Sequence, residues 1–147
     1  KDADVDLERT HFPHRDNTYM DFIYDESGRV SVNPALPKEE YEKAENLYNL
    51  VKMGRDPFGE EATSNRDFRW RTRFQTWNIA KKYLGKYDAG KSDLDDILEL
   101  VKGYGHWSIW FTVFKGHDEV RKALIENTPG TCAVCFDAGN HYEPIKR

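Results

Sequence analysis

The sequence predicts an α+β fold in which a small, mainly antiparallel sheet packs against three to four helices. Three observations predict it. Apolar residues recur at helical spacing in four segments of the chain. Two extended runs flank the turn Asp25-Glu26-Ser27-Gly28 near the N-terminus, and two more flank Asp137-Ala138-Gly139-Asn140 near the C-terminus. The strands outnumber any βαβ crossovers those helices could make, which argues against a wound parallel sheet.

Residues 1–18 are charged and aperiodic and read as an N-terminal arm; residues 19–147 read as a single α+β domain. Within it, YMDFIYDESGRVSV is a hairpin and NPALP a break. PKEEYEKAENLYNLVKMG reads as a helix. Pro37 sits in its first turn, Glu39 and Glu40 suit its positive end, and Tyr41, Ala44, Leu47, Tyr48 and Val51 form one face before Gly54 stops it. Residues 55–65 read as a loop or lid-like insertion. The next helix is RDFRWRTRFQTWNIAKKYLG, with Trp70, Phe74, Trp77 and Leu84 on one face and Gly85 as its end. SDLDDILELVKG follows, capped by Ser92, with Leu94, Ile97, Leu98 and Val101 as its stripe and Gly103 as its stop. HWSIWFTVF reads as a buried strand from its aromatic and β-branched content. HDEVRKALIEN is a short helix carrying Val120, Ala123 and Leu124, after which TCAVCF and HYEPI read as the last strands.

Composition narrows the function classes. Charged residues make up 33% and mean hydropathy is −0.85, so the surface is very polar, while a 14% aromatic share supplies core volume. The net charge of −4 gives no global basic field to draw in nucleic acid. No apolar run approaches the roughly 18 residues that span a bilayer, and no signal peptide is visible, so the chain reads as soluble with no membrane partner and no assigned compartment. It opens on Lys1, which reads as a processed or excised piece of a longer precursor. Two cysteines are too few for a disulfide scaffold or a four-Cys zinc site.

Five groups of residues carry candidate chemistry. Cys132 and Cys135 form a C-x-x-C pair, but on a strand they point to opposite faces and read as small buried core residues. His141 is a candidate general base, with Asp137 as its orienting carboxylate and Glu143 as an equally placed one; the alternative is a plain turn with a surface histidine. His11, His14 and Asp16 have chelating spacing only on a helix, and Pro13 makes the segment extended, so no metal is expected there. Arg66, Arg69 and Arg73 line a helix edge beside Trp70, Phe74 and Trp77. That is either a phosphate- and base-binding patch or a solvated edge over an aromatic core face. His106, behind Gly103 and Gly105, can approach a cleft at a sheet end or serve as a capped loop residue.

HDEVRKALIEN, the turn TPG, the strand TCAVCFD and Gly139-Asn140-His141-Tyr142 together resemble the C-terminal part of bacteriocin-processing papain-like cysteine peptidases and, more distantly, ovarian-tumour-type deubiquitinases. HFPHRDN at residues 11–17 resembles the entry segment of those chains. The resemblance implies a papain-like fold in which His141 is the catalytic histidine. Residues 18–60, where that family places its nucleophile, contain no Cys, and no Asp or Asn follows His141. Cys135, on the face of Asp137, is the remaining nucleophile candidate.

The leading expectation is a binding or interaction module without chemistry of its own and without a cofactor. Its partner is a protein or peptide, and Trp70 and Tyr142 are contact residues. A papain-like peptidase or amidase using His141 is the alternative. Nucleic-acid binding through the Arg66–Trp77 helix is the third reading.

Overall fold

A computed structural model of the chain describes Arg9, residues 18–51, Met53 and residues 69–145. Nearly all of the expected arm, the His11–His14–Asp16 group, the 55–65 loop and Arg66 lie outside these residues. The architecture is α+β. The described residues form five α-helices and two antiparallel sheets of two strands each. No helix among them is long and apolar enough to cross a membrane.

A short 3-10 turn at Thr18–Asp21 leads into β1, Phe22–Tyr24, which pairs with β2, Val30–Val32, in the register Phe22↔Val32 and Tyr24↔Val30. The turn between them is fixed by Asp25, whose Oδ1 accepts from Ser27 N at 2.9 Å and from Arg29 N at 3.2 Å. Helix α1, Lys38–Leu50, lays Ala44 and Leu47 on this hairpin, and Phe22, Val30 and Leu47 form a small apolar cluster there. The Tyr48 hydroxyl donates to Val30 O at 2.8 Å, which ties α1 to β2.

Helix α2, Arg69–Asp88, runs through Gly85 instead of ending at it. An interior glycine costs a helix only about 1 kcal/mol, and Tyr83, Leu84 and Tyr87 on both sides of it pack against the core. The buried face also differs from the expected aromatic one. It is Arg73, Thr76 and Ala80, while Phe74 is exposed and Trp70 half-buried. Thr76 and Ala80 are small, so this face lets the helix at Trp107–Val113 approach closely.

Helix α3, Leu94–Tyr104, is capped by Asp93 and not by Ser92. Asp93 Oδ1 accepts from Asp96 N at 2.9 Å, and Asp96 Oδ2 accepts from Asp93 N at 3.1 Å, a reciprocal pair that satisfies two N–H groups at once. HWSIWFTVF is not a strand; Trp107–Val113 form helix α4. Trp107, Trp110, Phe111 and Phe114 recur at helical spacing, and that period outweighs their strand propensity. Ile109, Trp110, Phe111 and Phe114 are buried, and Trp107 stacks on Phe111 with centroids 4.7 Å apart. The Trp110 indole donates to Gly105 O at 3.0 Å, and the Trp107 indole to Leu124 O at 3.2 Å, so neither buried N–H lacks an acceptor.

Helix α5, Asp118–Glu126, buries Val120, Ala123, Leu124 and Ile125 against this aromatic layer. The segment expected as the strand TCAVCF is mostly a 3-10 turn at Ala133–Cys135, and only Phe136–Asp137 form a strand, β3. A second 3-10 turn, Ala138–Asn140, leads to β4, Glu143–Pro144, which pairs Asp137↔Glu143 and Phe136↔Pro144. Phe136 is the core residue of this ribbon; Val134 is 81% exposed. The main core comprises Ala80, Ile97, Trp110, Phe111, Phe114, Val120, Leu124, Ile125 and Phe136.

Candidate functional site

The C-terminal ribbon holds His141, the candidate base of the alternative reading, and Asp137, one of its expected carboxylates. His141 and Tyr142 both take left-handed backbone conformations, with φ of 55° and 58°. Such angles are uncommon for residues other than glycine and need support from their surroundings. Arg121 supplies it: buried under the ribbon, its Nη1 donates to His141 O at 3.0 Å and to Glu143 Oε2 at 2.8 Å.

The expected partners of His141 are not those the fold gives it. Asp137 Oδ1 accepts from Gly139 N at 2.9 Å and so closes its own turn. Glu143 is engaged by Arg121. The carboxylate on the imidazole is Asp118, from the first turn of α5, with Oδ1 2.9 Å from Nδ1. The His141 and Asp118 side chains are 61% and 49% exposed, so water screens this pair strongly. The thiols were expected to be core residues. Cys132 is instead exposed, and Cys135 is half-buried against the core. Tyr142, expected as an exposed contact, packs against the core as well.

The arginine edge of α2 also has a structural task. Arg73 Nε donates to Gly28 O at 2.8 Å, the Trp70 indole to Ser27 O at 2.8 Å, and Arg69 Nη1 to Val51 O at 2.8 Å. These bonds dock the hairpin turn and the end of α1 onto α2. Arg73 is 7% exposed, so it is not part of a solvated edge.

Where these segments meet, they leave a cleft of about 360 Å³. Its lining combines the apolar Phe22, Leu47, Val51 and Met53 with the polar groups of Tyr24, Arg69, Arg73, His106 and Ser108. None of these described lining residues is a carboxylate. This size and mixture suit a ligand site with a few polar groups on an apolar wall.

His106 links the cleft to the corner between α3 and α4. Gly105, with φ of 73°, ends α3, and His106, with φ of 55°, opens α4. Its Nε2 lies 3.0 Å from Thr72 Oγ1, and that hydroxyl is also 3.0 Å from Arg69 O. A hydroxyl has one hydrogen, which the Arg69 carbonyl can only accept. Thr72 therefore receives a hydrogen bond from His106, which sets the Nε2–H tautomer. Burial, and secondly the Arg73 charge, hold the imidazole below its ordinary value of 6.5. Burial also raises the Tyr24 phenol, against the smaller opposing effects of its Ser108 hydrogen bond and of Arg73. The cleft is thus lined by two guanidinium groups, each bonded to a backbone carbonyl, by an imidazole whose charged form is disfavoured, and by two hydroxyls.

The lowered His106 value has a consequence for stability. Below 6.5 the unfolded chain takes up a proton that the folded chain resists, so stability falls as pH drops from 6.5 toward the folded value and is fully present above 6.5. His106→Asn retains a residue that tolerates the left-handed backbone. In urea unfolding across this window, the variant is expected to lose that part of the pH slope. An unchanged slope contradicts a depressed His106.

Sequence reasoning placed His106 near a cleft but on a sheet end; the cleft lies at a helix corner. It missed Asp118, Arg121, Thr72 and Ser108. Arg121 alone left a signal, as an arginine within the apolar stripe of its helix. Comparison with family models, with curated proteins and with solved structures finds no match to this chain.

Proposed function

We propose that the chain is a binding module for a peptide segment, taking an apolar side chain and the carboxylate beside it into the cleft lined by Arg69, Arg73 and His106. The observation that carries this reading is the make-up of the cleft: apolar side chains together with two arginines, a histidine and a serine, and no carboxylate among the described lining residues. About 360 Å³ suits one such side chain with its carboxylate. The Asp118–His141 pair is exposed and screened by water, so the carboxylate activates His141 only weakly.

The test is a titration of N-acetylated tetrapeptides ending in leucine or phenylalanine, followed by backbone amide NMR. Resonances of Met53, Arg69 and His106 are expected to shift with the free acid. The C-terminal amide should bind roughly 10-fold or more weakly, since a charge-assisted hydrogen bond contributes about 1.5–3 kcal/mol. Arg69→Ala should weaken the acid and leave the amide little changed. Equal binding of acid and amide, or no shift at the cleft, sinks the reading. A nucleotide that displaces the peptide, with affinity falling steeply as salt rises, favours the nucleic-acid reading.

The 2.9 Å contact between His141 and Asp118 favours a second reading, a hydrolase using His141 as base. Peptide turnover that disappears in His141→Ala would establish it in place of a module without catalysis.

A further inference from the structure

Cys132 and Cys135 would lie on opposite faces if their segment were a strand, and about 10 Å apart at a rise of about 3.3 Å per residue. The fold places them on a tight turn instead. Cys135 N–H donates to Cys132 C=O at 3.1 Å, closing a turn over Ala133 and Val134. In such a turn the rise is about 2.0 Å per residue, so the first and fourth Cα atoms lie about 6 Å apart. Disulfides form across Cα separations of roughly 4.4–6.8 Å.

Access differs between the two thiols. Cys132 is exposed, Val134 beside it is 81% exposed, and Cys135 is half-buried against the core. A reagent therefore reaches Cys132 first. Cys135 is also anchored, because its C=O accepts from Ile145 N at 2.9 Å and ties the turn to the far end of the C-terminal ribbon.

The geometry points to Cys132 and Cys135 as a dithiol–disulfide site whose substrate is a small-molecule disulfide, independent of any ligand in the cleft. The Cys132 thiolate attacks one sulfur of the substrate, the substrate S–S bond breaks, and one thiol leaves with a proton. The Cys135 thiolate then attacks Cys132 Sγ, the mixed disulfide breaks, and the second thiol leaves with a proton. Two protein thiols are oxidised, and one substrate disulfide is reduced to two thiols.

The test uses the whole chain incubated with glutathione disulfide and read by intact-mass spectrometry. The expected product is a monomer lighter by two hydrogens, carrying no adduct and restored by dithiothreitol. Cys135→Ser is expected to stop at a glutathione adduct on Cys132. Cys132→Ser should react at least about 10-fold more slowly, because only the less accessible thiol remains. Alanine replaces serine at position 135 if circular dichroism shows that the polar variant does not fold. A wild-type chain that carries adducts without the lighter species, disulfide-linked dimers, unreactive thiols, or equal rates in the two single variants each overturn the proposal.

Discussion

Arg121→Ala is expected to destabilise the protein by about 3–5 kcal/mol, the range for removing one partner of a buried charged network. The guanidinium is 1% exposed and makes four contacts. It donates to Phe111 O at 3.0 Å, to His141 O at 3.0 Å and to Glu143 at 2.8 Å, and it lies 4.1 Å from the centre of the Phe111 ring. Truncation leaves two carbonyls without this donor, a carboxylate without its counter-charge, and a void beneath the ribbon. Glu143→Gln should cost less, about 1–2 kcal/mol, because that side chain is 30% exposed and the amide oxygen still accepts. Urea unfolding measures both. The ribbon should also loosen, since Arg121 holds the carbonyl of a residue with φ of 55°. The His141 ring resonances in Arg121→Ala then report loss of the Asp118 contact. An alanine variant within about 1 kcal/mol of wild type contradicts this account.

Gly28→Ala is the second large expected effect, about 2–4 kcal/mol of destabilisation, from a left-handed residue acquiring a side chain and from overpacking. Gly28 has φ of 87°, and a Cβ there would lie 3.0 Å from Trp70 O and 3.1 Å from Phe74 N. Both are backbone atoms of α2, so the hairpin has to move away. That movement breaks the bond from Arg73 Nε to Gly28 O and opens the cleft. Gly85→Ala is the control. Its Cβ meets nothing within 4 Å inside α2, and the substitution should stabilise by about 0.5–1 kcal/mol. Thermal unfolding of the two variants should shift in opposite directions. A neutral Gly28→Ala contradicts the close docking of hairpin and helix.

Several elements were legible because their causes are local. Asp25-Glu26-Ser27-Gly28 specifies its turn through one carboxylate and one glycine. The stripes of α1, α3 and α5 follow from residues three and four apart. The site was much less legible, because each of its contacts joins distant segments. Arg73 reaches Gly28 across 45 positions, His106 reaches Thr72 across 34, and His141 reaches Asp118 across 23. His141 lies on a turn, as its neighbours in sequence predict, yet the two carboxylates expected beside it, Asp137 and Glu143, are engaged elsewhere. Asp137 had a closer task, since its side chain caps the turn that it begins.

By itself, the sequence determined the α+β class, the first hairpin and the amphipathic helices, because backbone propensity and hydrophobic period act within a few residues. Tertiary structure decided what those local terms leave balanced. HWSIWFTVF suits a strand by composition and a helix by period, and burial of its four rings against α2 and α5 selected the helix. The inward face of α2 was set by how closely small residues let α4 approach, not by where its largest aromatics fall. Cys132–Cys135 close a turn instead of extending a strand, and the ribbon begins only at Phe136. Hydrophobic period fixes which elements form. Packing, and the need of each buried polar group for a partner, fix which faces and side chains meet.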